Sequence, residues 1–165
     1  MNVTVFGVSH RIQGAAARAA NIDDLSYAVL IRQFLKRMDF VFEEASGLGP
    51  TFAETTAVEM MGSGKYRDVD PSREERPKCG IAEDTARWEP IEPGISCDMI
   101  TYEFDHEHEK REEFWLTRIR EHDFTEALFI CGYLHVLSMA FRLRGAGYRV
   151  EACHYMPFDK LAGTS

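Results

Sequence analysis

The chain has 165 residues, a length that suits one domain, and 45% of them are hydrophobic, which is enough for a sizeable core. Its formal net charge of -8 argues against non-specific binding to nucleic acid, because phosphate backbones attract basic surfaces. No apolar run reaches the length of a membrane-spanning helix. The first residues also lack the basic stretch and apolar core of a signal peptide, so the sequence predicts a cytoplasmic protein.

Hydrophobic patterning predicts strands that alternate with helices. In chain order, the pattern predicts a strand at 2–6 that Gly7 ends, a helix at 22–38, a strand at 40–42, a helix at 51–61, a strand at 66–69, a helix at 103–121, a strand at 127–131, a helix at 134–144 and a strand at 148–153. This alternation is typical of parallel sheets with right-handed crossovers. We therefore expect a single α/β domain over 1–165, with three layers, a mainly parallel sheet of about five strands and helices on both faces.

The stretch from 71 to about 101 differs in composition from the rest of the chain. It is rich in charged residues and holds four of the six prolines, at positions 71, 77, 90 and 93. Long loops inside compact domains are usually functional or disordered. We expect this stretch to cover the site.

Chemically useful side chains follow four of the predicted strands. His10 follows the first strand, Glu43 and Glu44 the second, Asp70 the third and His135 the fourth. Ligands of open parallel sheets bind beyond the carboxyl ends of the strands, so these residues are the site candidates. A helix cap would explain Asp70 equally well.

The two histidines stand in the same local pattern, a strand followed by Gly-x-x-His, at Gly7–His10 and Gly132–His135. Each glycine would allow a sharp turn and a close approach of the backbone. A single histidine after a strand is more often a structural residue, but the repeated pattern predicts that both line one site.

The two glutamates cannot both face this site while the chain stays extended, because adjacent residues of a strand point to opposite faces. Glu44 is favoured over Glu43, since it lies further out and shares a phase with Phe42. The alternative is that both glutamates are solvated.

Helical spacing places Arg111 and Trp115 on the inward face of the helix at 103–121. A buried arginine needs a partner, so Arg111 would neutralise Glu43 or Glu44 or bind an anionic group of a substrate. The alternative is a stem packed on Trp115 with its guanidinium in water. For substrate binding, Arg73 and Arg76 are weaker candidates, together with Asp70.

Taken together, these motifs resemble the erythromycin esterase/ChaN/TraB/Tiki superfamily. The resemblance is carried by the paired Gly-x-x-His, the acidic pair within 41–44, the Arg-Glu-Glu-Phe-Trp run at 111–115 and the segment Leu-Phe-Ile-Cys-Gly-Tyr-Leu-His at 128–135. It implies a hydrolase of ester or amide bonds, or a haem-associated protein. It also implies that His10, His135 and Glu43 or Glu44 are the site residues, with Arg111 supporting them. The chain lacks the large helical insertions of the bigger members, which leaves the substrate open.

The leading hypothesis is a hydrolase that activates water for attack on a small-molecule substrate. His10, His135 and Glu44 could hold one divalent metal ion such as Zn or Mn, which lowers the pKa of bound water. Without a metal, His10 could act as a general base. The alternatives are a non-catalytic module that binds haem or another small ligand, and a purely structural role for the histidines. The apolar helix at 134–144 and the edge strand at 148–153 could support a homodimer.

Overall fold

The computed structural model describes residues 1–14, 22–45, 49–81 and 97–155. Within these residues, five strands form one parallel sheet in the order β3-β2-β4-β1-β5. The strands are β1 (Asn2–Val8), β2 (Phe40–Glu43), β3 (Tyr66–Asp68), β4 (Glu126–Gly132) and β5 (Arg149–His154). The predicted parallel sheet of about five strands is confirmed.

Helices cover both faces of this sheet. They are α1 (His10–Gln13), α2 (Ile22–Leu35), α3 (Phe52–Met61), α4 (Cys97–Arg120) and α5 (Val136–Gly145). One core cluster joins α1, α2 and α3 to the sheet through residues such as Ile12, Tyr27 and Ala57. A second cluster joins α4 and α5 to the opposite face through residues such as Trp115 and Met139. The sheet is therefore the middle of three layers, as predicted. None of the described helices combines the length and hydropathy needed to cross a membrane.

The first strand continues through Gly7 to Val8, so the prediction that Gly7 ends it is wrong. Gly7 pairs with Cys131 of β4 and His154 of β5. A Cβ atom at Gly7 would lie 2.3 Å from Cγ2 of Val136, so the glycine lets α5 pack closely on the sheet.

Helix α4 begins earlier than the pattern predicts, at Cys97 instead of 103. The covering segment predicted for 71–101 therefore ends in a helix, and its central part, 82–96, lies outside the described residues. The sequence reason is that Pro93 and Gly94 are the last helix-breaking residues before α4. The first part of this segment, residues 71–81, packs beside α4, where Lys110 donates to the carbonyl of Gly80 over 2.9 Å.

Candidate functional site

The carboxyl end of β4 lies between the ends of β1 and β2, and these strands continue in opposite directions. The chain leaves β1 and β2 towards the face that carries α1, α2 and α3, whereas it leaves β4 towards α5 on the other face. Such a divergence opens a crevice at the edge of a parallel sheet, and ligand sites of α/β folds lie there.

Glu44 is at the centre of this edge and is completely buried. Its Oε1 accepts from Nη2 of Arg111 over 2.7 Å, and its Oε2 accepts the backbone N–H of Gly132 over 2.8 Å. A charged partner and a backbone donor together compensate the carboxylate for the loss of water. The alternative that the glutamates are solvated is wrong for Glu44. Of the partners considered for Arg111, the structure shows Glu44.

His10 lies next to Glu44, and its Nε2 is 3.6 Å from Oε1 of that carboxylate. Its other ring nitrogen, Nδ1, is 2.7 Å from Oε1 of Gln13, one turn further along α1. The imidazole remains 39% exposed, so a partly exposed ring lies beside a completely buried carboxylate. Gly132 is needed for this approach, because a Cβ atom there would lie 2.9 Å from Nε2 of His10.

Glu43 points to the opposite face of the sheet from Glu44 and is also completely buried. Its carboxylate accepts hydrogen bonds from Gln13 over 3.1 Å, from Thr51 over 2.5 Å and from Tyr66 over 2.9 Å. Burial raises the pKa of Glu43 to about 7, although these three hydrogen bonds act in the other direction. Glu43 is therefore a buried group beneath the site, and Glu44 is the glutamate beside His10.

Arg111 joins Glu44 to a second buried carboxylate, that of Asp70. Its Nη2 lies 2.7 Å from Oδ1 of Asp70, and the indole N–H of Trp115 donates to the same oxygen over 3.0 Å. Arg76 binds the other oxygen of Asp70 over 2.9 Å. Asp70, which Arg76 also binds, thus fixes the position of Arg111. Arg73 is exposed on the surface.

His135 is buried and uses a different carboxylate from His10. Its Nδ1 donates to Oε1 of Glu112 over 2.9 Å, and Arg142 donates to Oε2 over 2.9 Å. The imidazole also contacts the ring of Trp115 edge-on, with 4.8 Å between the centroids, and lies 4.4 Å from that of His108.

A cavity of about 310 Å³ opens beside this second carboxylate. Its lining residues are His108, Glu109, Glu112, Leu134, Ser138 and Arg142. Burial raises the pKa of Glu112, but hydrogen bonds from His135 and Ser138 outweigh that effect, so the pKa is lower than that of an ordinary glutamate. Glu112 therefore carries its charge next to His135.

The predicted residues accordingly separate into two groups. His10 and Glu44 lie together with Arg111, whereas His135 pairs with Glu112, so the predicted ligand set of His10, His135 and Glu44 is divided between two carboxylates. Among the described residues, no three histidine, cysteine or acidic side chains are arranged to hold a metal ion.

Sequence patterns missed two residues of this region, Gln13 and Glu112. Gln13 lies three positions after His10, which is the spacing of neighbours on one helical turn, but a four-residue helix leaves too short a pattern to recognise. Glu112 flanks the inward face of α4 and looks like part of a solvated charged run.

The chain matches none of the protein-family models searched, and a search of curated proteins finds no significant match.

Proposed function

We propose that this protein is a hydrolase in which His10 takes a proton from a water molecule at the carboxyl edge of the sheet. The observation that carries the proposal is the position of His10, whose partly exposed ring has Nε2 3.6 Å from the buried carboxylate of Glu44. A partly exposed histidine beside a buried carboxylate is suited to general-base catalysis.

The separation of these two atoms suits a single bridging water. A water about 2.8 Å from both Nε2 of His10 and Oε1 of Glu44 would donate one hydrogen to each. Its lone pairs would then point towards the crevice, where a carbonyl carbon of a substrate could be attacked. As His10 takes the proton, the negative charge of Glu44 stabilises the imidazolium ion that forms.

The surroundings of Glu44 keep this arrangement in place. Arg111 and the backbone N–H of Gly132 occupy both carboxylate oxygens, so Glu44 cannot rotate away from His10 without losing two hydrogen bonds. Because Arg111 is itself held by Asp70, its charge serves to position Glu44.

The donor set does not fit the three-ligand metal centre expected from the motifs. His10 lies beside Glu44 whereas His135 is bonded to Glu112, and among the described residues no three histidine, cysteine or acidic side chains converge to hold a metal ion. General-base catalysis by His10 needs no metal ion. No described contact favours the haem alternative either, since His135 is buried between Trp115 and His108.

An ester or amide bond is the proposed substrate class, as the superfamily resemblance implies. The test is hydrolysis of p-nitrophenyl acetate and of a panel of small esters and amides by the purified protein, with and without a chelator. His10→Gln should lower kcat at least about 100-fold, because general-base catalysis contributes that much or more. Equal rates in the wild type and His10→Gln, or no hydrolysis of any probe, would count against the proposal.

The control must detect adventitious catalysis by surface histidines, since imidazole itself reacts with activated esters. His122 packs against Phe40, away from this edge of the sheet. His122→Gln should keep the wild-type rate, and far-ultraviolet circular dichroism should show that both variants are folded.

A further inference from the structure

Gln13 is completely buried although it is polar, and all its polar atoms have partners. Its Oε1 lies 2.7 Å from Nδ1 of His10. Its Nε2 donates to Oε1 of Glu43 and to the backbone carbonyl of Glu44, over 3.1 Å in each contact. One side chain thus links His10 to both glutamates that follow β2.

These partners determine which end of the amide faces His10. A backbone carbonyl can only accept a hydrogen bond. The same holds for Oε1 of Glu43, provided that any proton on this carboxyl group is bound to Oε2. The NH2 group of Gln13 must therefore face Glu43 and Glu44. The hydroxyls of Thr51 and Tyr66 lie at Oε2 of Glu43 and can rotate to accept a proton there, so the orientation is the same in both protonation states.

It follows that the amide oxygen faces His10. Because this oxygen only accepts, Nδ1 of His10 must carry a proton to form the contact. In water, by contrast, neutral histidine prefers its proton on Nε2. The fold therefore provides a hydrogen-bond acceptor, Oε1 of Gln13, for the Nδ1–H tautomer of His10.

We infer that Gln13 is a positioning residue that holds neutral His10 as the Nδ1–H tautomer, which leaves Nε2 as the basic atom beside Glu44. The catalytic meaning of this inference rests on the proposed function, since a general base needs its lone pair on the nitrogen that faces the substrate. The tautomer itself can be measured whether or not a substrate is found.

The experiment is nitrogen-15 NMR of the imidazole rings at a pH where neutral histidine predominates, with His10→Gln used to assign the signals of His10. In the wild type, Nδ1 should give the shift of a protonated ring nitrogen and Nε2 that of an unprotonated one. The opposite pattern in the folded wild type would overturn the inference, and this result does not depend on any variant being stable.

Gln13→Leu removes the acceptor at similar size and should move the His10 signals towards the Nε2–H tautomer. The matched control is Gln33→Leu, which changes an exposed glutamine of α2 and should leave the signals unchanged. If Gln13→Leu is unstable, Gln13→Asn, which is one methylene shorter, provides the same comparison.

Kinetics separate this inference from the proposed function. With a hydrolysed probe, Gln13→Leu should lower kcat at least about 10-fold with little change in KM, because a histidine in the wrong tautomer binds substrate but accepts no proton. An Nδ1–H tautomer in a protein without hydrolytic activity would refute only the proposed function. Hydrolysis that needs His10, combined with an Nε2–H tautomer, would refute only the role of Gln13.

Discussion

Gly132 donates its backbone N–H to Oε2 of Glu44 over 2.8 Å. Glu44, the residue that follows β2, thus supplies the acceptor for the last backbone N–H of β4. A side chain thus completes hydrogen bonding where strand pairing stops. Since the donor belongs to the backbone of a central strand, the position of Glu44 is tied to the sheet itself, and His10 meets a carboxylate with a defined place.

Replacing Arg111 by methionine should destabilise the protein strongly. The guanidinium is a charged partner of both Glu44 and Asp70, and its loss removes this charge from between two buried carboxylates, although Arg76 still binds Asp70. We expect the free energy of unfolding to fall by about 3 to 5 kcal/mol, measured by urea denaturation. Arg149→Met, at an exposed position of β5, should change it by less than about 0.5 kcal/mol. A similar small effect of Arg111→Met would show that the pairing is unimportant.

Replacing Gly132 by alanine should damage the site more than the fold. The new methyl group would lie 2.9 Å from Nε2 of His10 and 3.5 Å from Oε2 of Glu44, so the imidazole must move away. We expect hydrolysis to fall at least about 10-fold, because displacing a catalytic group by about 1 Å has effects of this size or larger.

The control for this change is Gly145→Ala at the end of α5, where a methyl group would meet nothing within 4 Å. That variant should keep full activity and gain stability, because alanine favours a helix by about 1 kcal/mol over glycine. Full activity in Gly132→Ala would mean that the close approach of His10 is not required.

Local patterns in the sequence predicted the elements and their alternation well, because apolar periodicity reports directly on strands and helices. They also predicted that His10, Glu44 and Arg111 meet, since strand ends and one inward helix face converge at the edge of a parallel sheet. Local patterns could not predict the strand order β3-β2-β4-β1-β5, because contacts between distant segments decide which strands pair.

The place of His135 shows the same limit for a side chain. Its Gly-x-x-His motif matches that of His10, yet its ring turns towards Trp115 and bonds to Glu112 from another helix. Which carboxylate a histidine meets depends on rotamers and packing across 23 positions of the chain, and a repeated tetrapeptide contains no information on either.

Glu43 should make the stability of the protein fall as the pH rises from about 4.5 to about 7. The pKa of Glu43 is raised from its ordinary value of 4.5 to about 7 in the folded protein, so in this range the folded chain binds more protons than the unfolded chain. By linkage, the free energy of unfolding then decreases with pH, by about 3 kcal/mol at most, and levels off above about pH 7.

Urea denaturation at several pH values tests this expectation with Glu43→Gln, which cannot titrate. As the pH rises, the free energy of unfolding of the wild type should fall relative to that of Glu43→Gln. Glu59→Gln, at an exposed position of α3, should follow the wild-type pH dependence. If Glu43→Gln follows it too, Glu43 does not titrate in this range.

Glu112 should show the opposite pH dependence. Its pKa lies below the ordinary value of 4.5 in the folded protein, because hydrogen bonds from His135, Ser138 and Arg142 outweigh its burial. Its contribution to stability is therefore complete above about pH 4.5 and is lost as the pH falls through the folded-state pKa. Glu112→Gln should lower the free energy of unfolding by about 1 to 3 kcal/mol at pH 7 and by less in acid.

The neighbouring Glu113 provides the matched control, because it is exposed and its carboxylate lies 3.6 Å from Arg142. Glu113→Gln should cost less than about 1 kcal/mol at any pH, as expected for a surface ion pair. Equal losses in Glu112→Gln and Glu113→Gln at pH 7 would contradict a structural role for the contact between Glu112 and His135. If only Glu112→Gln lowers the free energy of unfolding, and the effect is smaller in acid, the buried carboxylate must be charged at pH 7. The charged carboxylate then accepts the hydrogen bond that fixes His135 beside Trp115.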